Sequence, residues 1–359
     1  MALITNDDQQ TLLRHLTEPD EDAALGQVRG CLDAGIPPER LLVELVAPAL
    51  ARVGDRWQRD QLSVADEHVA SYISERLLAA IVERNHPTPT GRGDLIVACA
   101  EGEWHALPAR IVSDVLRLRG WQVRFLGACV PVSDIGPYLA DVRPAGALFS
   151  ATMSSRLPEV RRAVQVCHHA GVPTLVGGAA LGAAGRLTYR IGADAWAPDA
   201  LAAADLLEEW PPPLARKHIE PSANDEHARL SRDRWRLVDQ VIKILIQRYP
   251  ALRRFSPERL ENAIDELDRI VDFLTSAVCL DDDHVFTEYV QWLVEVCVTH
   301  REPVALVELA LQALTEQLGD RPRTQRVLTA GVTAAHTTRH RTDGPYTSQL
   351  VGSNGQRDR

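Results

Sequence analysis

Glu103 and His105 describe chemistry most directly: an imidazole is a metal ligand, and a carboxylate two positions before it can take the other ring N–H. Such a partner fixes the tautomer and raises the basicity of the ligating nitrogen. A second group is Trp57 followed, nine residues on, by Glu67-His68. An indole fills volume beside a bulky ligand, and a carboxylate accepts hydrogen bonds from its polar groups. Each also has an ordinary reading. Glu-x-His arises often by chance, Trp57 suits a bundle core, and Glu67 and His68 suit a solvated helix start.

The elements that must position these groups fall into three regions. Residues 1–85 carry helical spacing over 9–16, 21–33, 38–57 and 64–82, with turn signals at Pro19, Gly35-Ile36-Pro37 and 54–62 between them. That predicts a four-helix bundle. Ser63-Val64-Ala65-Asp66 reads as a capping box opening the last helix, which puts Glu67 and His68 in its first turns. After a linker at 86–93 the pattern changes to short apolar runs at 95–100, 122–126, 146–150, 174–176 and 193–196. Amphipathic stretches at 107–119, 133–142, 157–170, 179–184 and 198–209 lie between and after them. Five such βα units predict a parallel, doubly wound, flavodoxin-like (Rossmann-like) domain over 93–210, with His105 just past the first strand at the switch point where such sheets bind ligands.

A proline-rich connector, 210–221, leads to a region over 223–336 with helical spacing at 229–249, 257–277, 283–300 and 304–318 and no strand signal. The fold class is therefore α/β plus all-α. The polar segment 337–359 lacks a hydrophobic period and reads as a disordered tail.

With 359 residues, 45% apolar and 25% charged, the chain can bury real cores. A net charge of -10 and no basic run interleaved with aromatics argue against direct nucleic-acid binding. No apolar stretch approaches membrane-spanning length and the first residues do not form a signal peptide, so the expectation is a cytoplasmic protein. Six cysteines are scattered without paired spacing and read as small buried hydrophobes; Cys279 and Cys297 are the two that a thioether-linked chromophore would use.

Residues 94–210 resemble the cobalamin-binding domain shared by methionine synthase, corrinoid methyl carriers and light-responsive regulators. The family motif Asp/Glu-x-His-x-x-Gly stands here as Glu103-Trp104-His105-Ala106-Leu107-Pro108, with proline in place of glycine. The resemblance implies that His105 ligates the cobalt of cobalamin and displaces the cofactor's own dimethylbenzimidazole. It further implies that the nucleotide tail runs into a slot bordered by Ser150-Ala151-Thr152 and by Gly177-Gly178. Small residues let a flat heterocycle approach the backbone, and a hydroxyl can meet a ring nitrogen.

Trp57-x9-Glu67-His68 is similar to the signature of CarH-type adenosylcobalamin photoreceptors, in which a helical bundle covers the upper face. Those regulators carry histidine after the tryptophan; this chain carries Gln58, a poor cobalt ligand beside imidazole. The illuminated state would then hold water or recruit another histidine such as His68. The order of parts resembles the photocobilins, which bind biliverdin in a globin-like C-terminal helical domain. Trp235, Tyr249, Phe286, Tyr289 and Trp292 are the candidate walls for a bilin, and Asp283, His284 and His300 its candidate polar partners. A helix core, or a solvated loop and cap, explains the same residues.

The leading expectation is a non-enzymatic photoreceptor holding adenosylcobalamin and biliverdin, self-associating in a light-dependent way and passing its signal to an unidentified protein. The alternatives are a corrinoid carrier serving a methyltransferase and a cobalamin-free signalling scaffold.

Overall fold

A computed structural model of the chain describes residues 3–85, 87–210 and 226–342. Two compact units result, residues 1–220 and 221–359. Among the described residues no helix is long and apolar enough to cross a membrane.

The first unit opens with four helical rods. In α1 (Asn6–Thr17) Thr5 and Asp8 cap the start reciprocally, and Asp20 caps α2 (Glu21–Asp33). The third rod runs through α3 (Pro38–Arg40), a π-helical segment (Leu41–Val46) and α4 (Ala47–Gln58). Pro48 causes the irregularity, because it has no N–H to return to the Glu44 carbonyl. Gln9 of α1 donates its amide to that carbonyl instead, at 2.7 Å, and Ala47 N–H reaches back five residues to Leu42. The fourth rod, α5 (Val64–Asn85), starts at the box read from sequence: Ser63 N–H donates to the Asp66 carboxylate at 2.9 Å and Asp66 N–H to Ser63 Oγ at 3.1 Å. Leu12, Leu16, Leu45, Leu77 and Ile81 are wholly buried between the rods.

The sheet domain follows as β1 (Asp94–Cys99), α6 (Ala106–Leu118), β2 (Gln122–Gly127), α7 (Val132–Val142), β3 (Gly146–Ser150), α8 (Leu157–His169), β4 (Thr174–Gly177), α9 (Thr188–Ile191), β5 (Ala195–Trp196) and α10 (Ala200–Leu206). All strand pairs are parallel, in the order β2-β1-β3-β4-β5. β1 and β3 are buried on both faces, as helices on either side of a parallel sheet require. Bundle and sheet belong to one unit. Trp210 closes the far end: its Nε1–H donates to the Ala145 carbonyl at 3.0 Å, and its ring lies where a side chain on Gly146 would stand.

One expected helix is absent. Residues 179–184 form two 3-10 turns, Ala179–Leu181 and Ala183–Gly185, before α9. Gly178, Gly182 and Gly185 take φ of +99°, +73° and +66°, which breaks any helical run.

The second unit contains α11 (Glu226–Arg248), α12 (Pro257–Leu280), α13 (Asp283–Thr299), α14 (Val304–Gln317) and α15 (Pro322–Thr342). The last helix corrects the sequence reading, which assigned nothing there and began the disordered tail at Thr337. Thr324, Leu328, Gly331, Ala335 and Thr338, all buried, recur at alternating four and three residues, and α15 packs along α13. Val327 and Leu328 are the large hydrophobes buried in α15, too few to give an apolar scan a period. At Gly331 an added Cβ would come within 2.4 Å of the Phe286 ring. The connector at 211–221 and the tail from 343 lie outside the described residues.

Glu226 holds the start of α15. Its carboxylate, buried to 5% exposure, accepts from Thr324 N–H and Oγ1–H at 2.8 Å each and from Arg323 N–H at 3.3 Å. Glu226→Ala strips these donors of their acceptor and is expected to destabilise the helical unit by about 2–4 kcal/mol. Urea unfolding followed by helical circular dichroism checks this; an unchanged midpoint removes the cap from the account.

Candidate functional site

The loop between β1 and α6 is built around one carboxylate. Glu103 N–H donates to the Ala100 carbonyl, and the Glu103 carbonyl accepts from Cys129 N–H, each at 2.9 Å. The side chain is 1% exposed. Its Oε1 takes the His105 ring Nδ1 at 2.5 Å and the His105 backbone N–H at 3.0 Å. Its Oε2 takes Thr152 N–H at 2.7 Å and Met153 N–H at 3.1 Å, both from the loop after β3. Burial alone would raise this carboxyl, but the bonds from His105, Met153 and Thr152 outweigh it and hold it down to about 2. Conversely the hydrogen bond to Glu103 raises His105 against the effect of burial, with the charges of Glu103 and Glu67 adding to the rise.

An ionised Glu103 on Nδ1 assigns the ring proton to that nitrogen and leaves Nε2 as a free donor pair. The imidazole itself stays 56% exposed. Pro108, at the third position of α6, falls where a backbone N–H has no helical partner anyway. Burial, then the Glu103 charge, push the neighbouring Cys99 thiol up to about 12, so no thiolate competes there for a metal.

Opposite this loop stand the bundle residues. Trp57 and Gln58 end α4, and Val64, Glu67, His68, Ser71 and Glu75 form one face of α5. Ser71 Oγ–H donates to Glu67 at 2.8 Å, and His68 Nε2 lies 3.7 Å from the same carboxylate. A cavity of about 1010 Å³ separates the two sides and is lined from both. Trp57, Glu67 and His68 contribute one wall; His105, Ser150, Thr152, Gly177 and Gly178 contribute another. That volume sits at the upper end of the roughly 300–1,000 Å³ of small-molecule sites, as a macrocycle requires.

The strand registers align Cys99, Ser150 and Gly177 across β1, β3 and β4. Gly178 follows at φ +99°, where an added Cβ would meet the Ala151 carbonyl oxygen at 2.2 Å. No other residue type fits. Among the described residues no group of three or more His, Cys, Asp or Glu side chains converges to hold a metal ion. A corrin brings its own equatorial nitrogens, so a single imidazole matches what such a group needs.

The helical unit brings together fewer of its candidates. Tyr289 is buried, stacked on Phe273 with centroids 3.7 Å apart and hydrogen-bonded to Glu266, with Trp292 at 6.0 Å. Asp283 pairs with Arg326 at 3.0 Å, and Asp282 rather than Asp283 caps α13 at His284. Trp235 is 70% exposed on α11, and His300 ends α13. Cys279 is buried, and burial pushes the Cys297 thiol up to about 12, far from the thiolate that thioether chemistry needs.

Sequence reasoning missed the Thr152 and Met153 amides, Cys129 and the α5 residues Ser71 and Glu75. The last two were within reach, four and eight residues beyond Glu67 on one helical face.

Residues 93–205 and 9–81 each match a B12 binding domain family. The HTH-type transcriptional repressor CarH of Myxococcus xanthus is 33% identical over 153 residues, covering 41% of this chain and 50% of that protein. The chain thus spans about half the length of that relative. Trimethylamine corrinoid protein 1 of Methanosarcina acetivorans is 24% identical over 171 residues, covering 46% of this chain and 79% of that protein. The structure of the Methanosarcina barkeri monomethylamine corrinoid protein superposes with a TM-score of 0.51 at 20% identity, over 57% of this chain and 99% of that one, a likeness of fold.

Proposed function

We propose, from the premise that this is a non-enzymatic cobalamin-binding protein related both to CarH-type repressors and to corrinoid proteins, that it is a light-responsive regulator holding adenosylcobalamin between bundle and sheet. The observation that carries this is the shared cavity: Trp57, Glu67 and His68 line it from the bundle while His105 lines it from the sheet. When bound, the cofactor supplies a cobalt–carbon bond that light breaks.

The chain's own residues do the rest. His105 would hold cobalt through Nε2, with Glu103 keeping the ring in the matching tautomer and orientation. Ser150, Thr152, Gly177 and Gly178 would hold the cofactor's nucleotide tail. Trp57 would pack against the cofactor's adenosyl group, and Glu67 would accept hydrogen bonds from it. With nothing packed against Trp57, the fit of bundle to sheet and the contacts between copies of the chain would change. Biliverdin in the helical unit is the weakest arm: Tyr289 would first have to leave its stack on Phe273, and Asp283 its pair with Arg326.

A corrinoid carrier for a methyltransferase is the second reading. It is favoured by the fuller coverage of the corrinoid proteins, 79% against 50% for CarH, and by Trp104, 74% exposed at the cavity. Absorption spectra and size-exclusion profiles of the chain loaded with adenosylcobalamin in the dark, then illuminated, separate the two. A lasting spectral change with altered hydrodynamic size is the expected result. An unchanged size, with methyl transfer from bound methylcobalamin to an acceptor thiol, would instead establish the carrier.

A further inference from the structure

Residues 101–103, just before the imidazole of His105, are tied to the loop after β2 at three points. Val132 N–H, at the start of α7, donates to the Glu101 carboxylate at 3.2 Å. Gly102 N–H donates to Cys129 Sγ at 3.3 Å, and the Glu103 carbonyl accepts from Cys129 N–H at 2.9 Å. β1 lies between β2 and β3 in the sheet. The loop after β3 therefore grips the Glu103 side chain, through the Thr152 and Met153 amides, while the loop after β2 grips the backbone that carries it. Cys129 makes two of the three ties from a backbone held at φ +52°. A Cβ in that region crowds the following carbonyl, which is why glycine is usual there, as in Gly102 at φ +78°. Side chains kept at such angles are held by their surroundings, and they cluster where a ligand is clamped.

We propose that Cys129 is a positioning residue for the cobalt ligand. Its sulfur as acceptor and its amide as donor fix the Gly102-Glu103 backbone, so that Glu103 holds the His105 ring in one place; the role rests on His105 taking the cobalt, as proposed above. What the Cβ at 129 brings to this strained position is the sulfur that receives Gly102 N–H. Glycine at 129 relaxes the backbone and keeps the amide but takes the sulfur away. It therefore separates two effects that ordinary destabilisation couples: the fold is spared while the ligand loop loses a tie.

Cobinamide carries no base of its own, so only the protein can supply its lower nitrogen. Titrating the full chain with cobinamide, followed by the shift from water-ligated to imidazole-ligated cobalt absorption, reads the placement of His105. Cys129→Gly is expected to unfold at about the temperature of the native chain, because relief of the strained angle offsets the freedom glycine gains when unfolded. It should nonetheless weaken the imidazole-ligated complex on the order of 2- to 10-fold, as loss of one neutral hydrogen bond does. Cys129→Ser keeps an acceptor and should recover part of that loss. Equal affinity and an equal share of imidazole-ligated cobalt in Cys129→Gly and the native chain would overturn the proposal, as would a serine variant no better than the glycine one. A native chain that fails to bind cobinamide, or binds it without the imidazole shift, would overturn the reading of His105 and this role with it.

Discussion

Replacing His105 by alanine is expected to weaken corrinoid binding on the order of 100-fold or more, since loss of a residue that merely orients a ligand already costs about 10- to 100-fold. The lower-ligand absorption band should shift to that of a water-ligated cobalt, and the fold should survive because the ring is 56% exposed. Glu103→Gln belongs in the same titration. It keeps the shape but removes the charge that four donors address, so an intermediate loss is expected. Unchanged affinity and spectrum in His105→Ala would dismiss the imidazole as the ligand and with it the assignment of the cavity floor.

Gly178→Val should have the largest effect on the fold around the site. The position combines φ +99° with ψ 165°, a region essentially restricted to glycine, and a Cβ there would overlap the Ala151 carbonyl oxygen. That oxygen also accepts from Ala180 N–H at 3.1 Å, so it cannot simply retreat. We expect about 3 kcal/mol or more of destabilisation and loss of measurable corrinoid binding. Thermal unfolding and the same titration decide it; a stable variant that binds normally would mean that the turn after β4 does not border the ligand.

The parts of this architecture that follow local rules were legible in the sequence. The strands appear within a residue or two of their expected bounds because buried parallel strands are continuous apolar runs, and the Ser63–Asp66 cap is a four-residue pattern. Glu103 and His105 could be paired because they are two residues apart. The amides that hold Glu103 come from Thr152 and Met153, and nothing near Glu103 announces them. α15 was missed because threonine, glycine and alanine outnumber the large hydrophobes Val327 and Leu328 among its buried residues, and at Gly331 the close approach to Phe286 of α13 depends on small size rather than on hydrophobicity. The turns at 179–185 were read as helix because alanine content outweighed glycines whose backbone angles a sequence does not display. That bundle and sheet border one cavity was expected only from the likeness of Trp57-x9-Glu67-His68 to a family signature, since no local rule in the sequence reports it.

The wide turn at Leu41–Val46 sets the phase of everything beyond it. Holding one more residue per turn than an α-helix is equivalent to an insertion, and each residue corresponds to about 100° of rotation and 1.5 Å of advance along the rod. Trp57 therefore owes its compass bearing to Pro48 and to the Gln9 amide that occupies the orphaned carbonyl. Shortening this stretch by one residue would leave the rod intact and turn the indole away from the cavity it lines, so sequences that keep the tryptophan but lose the proline need another way to aim it.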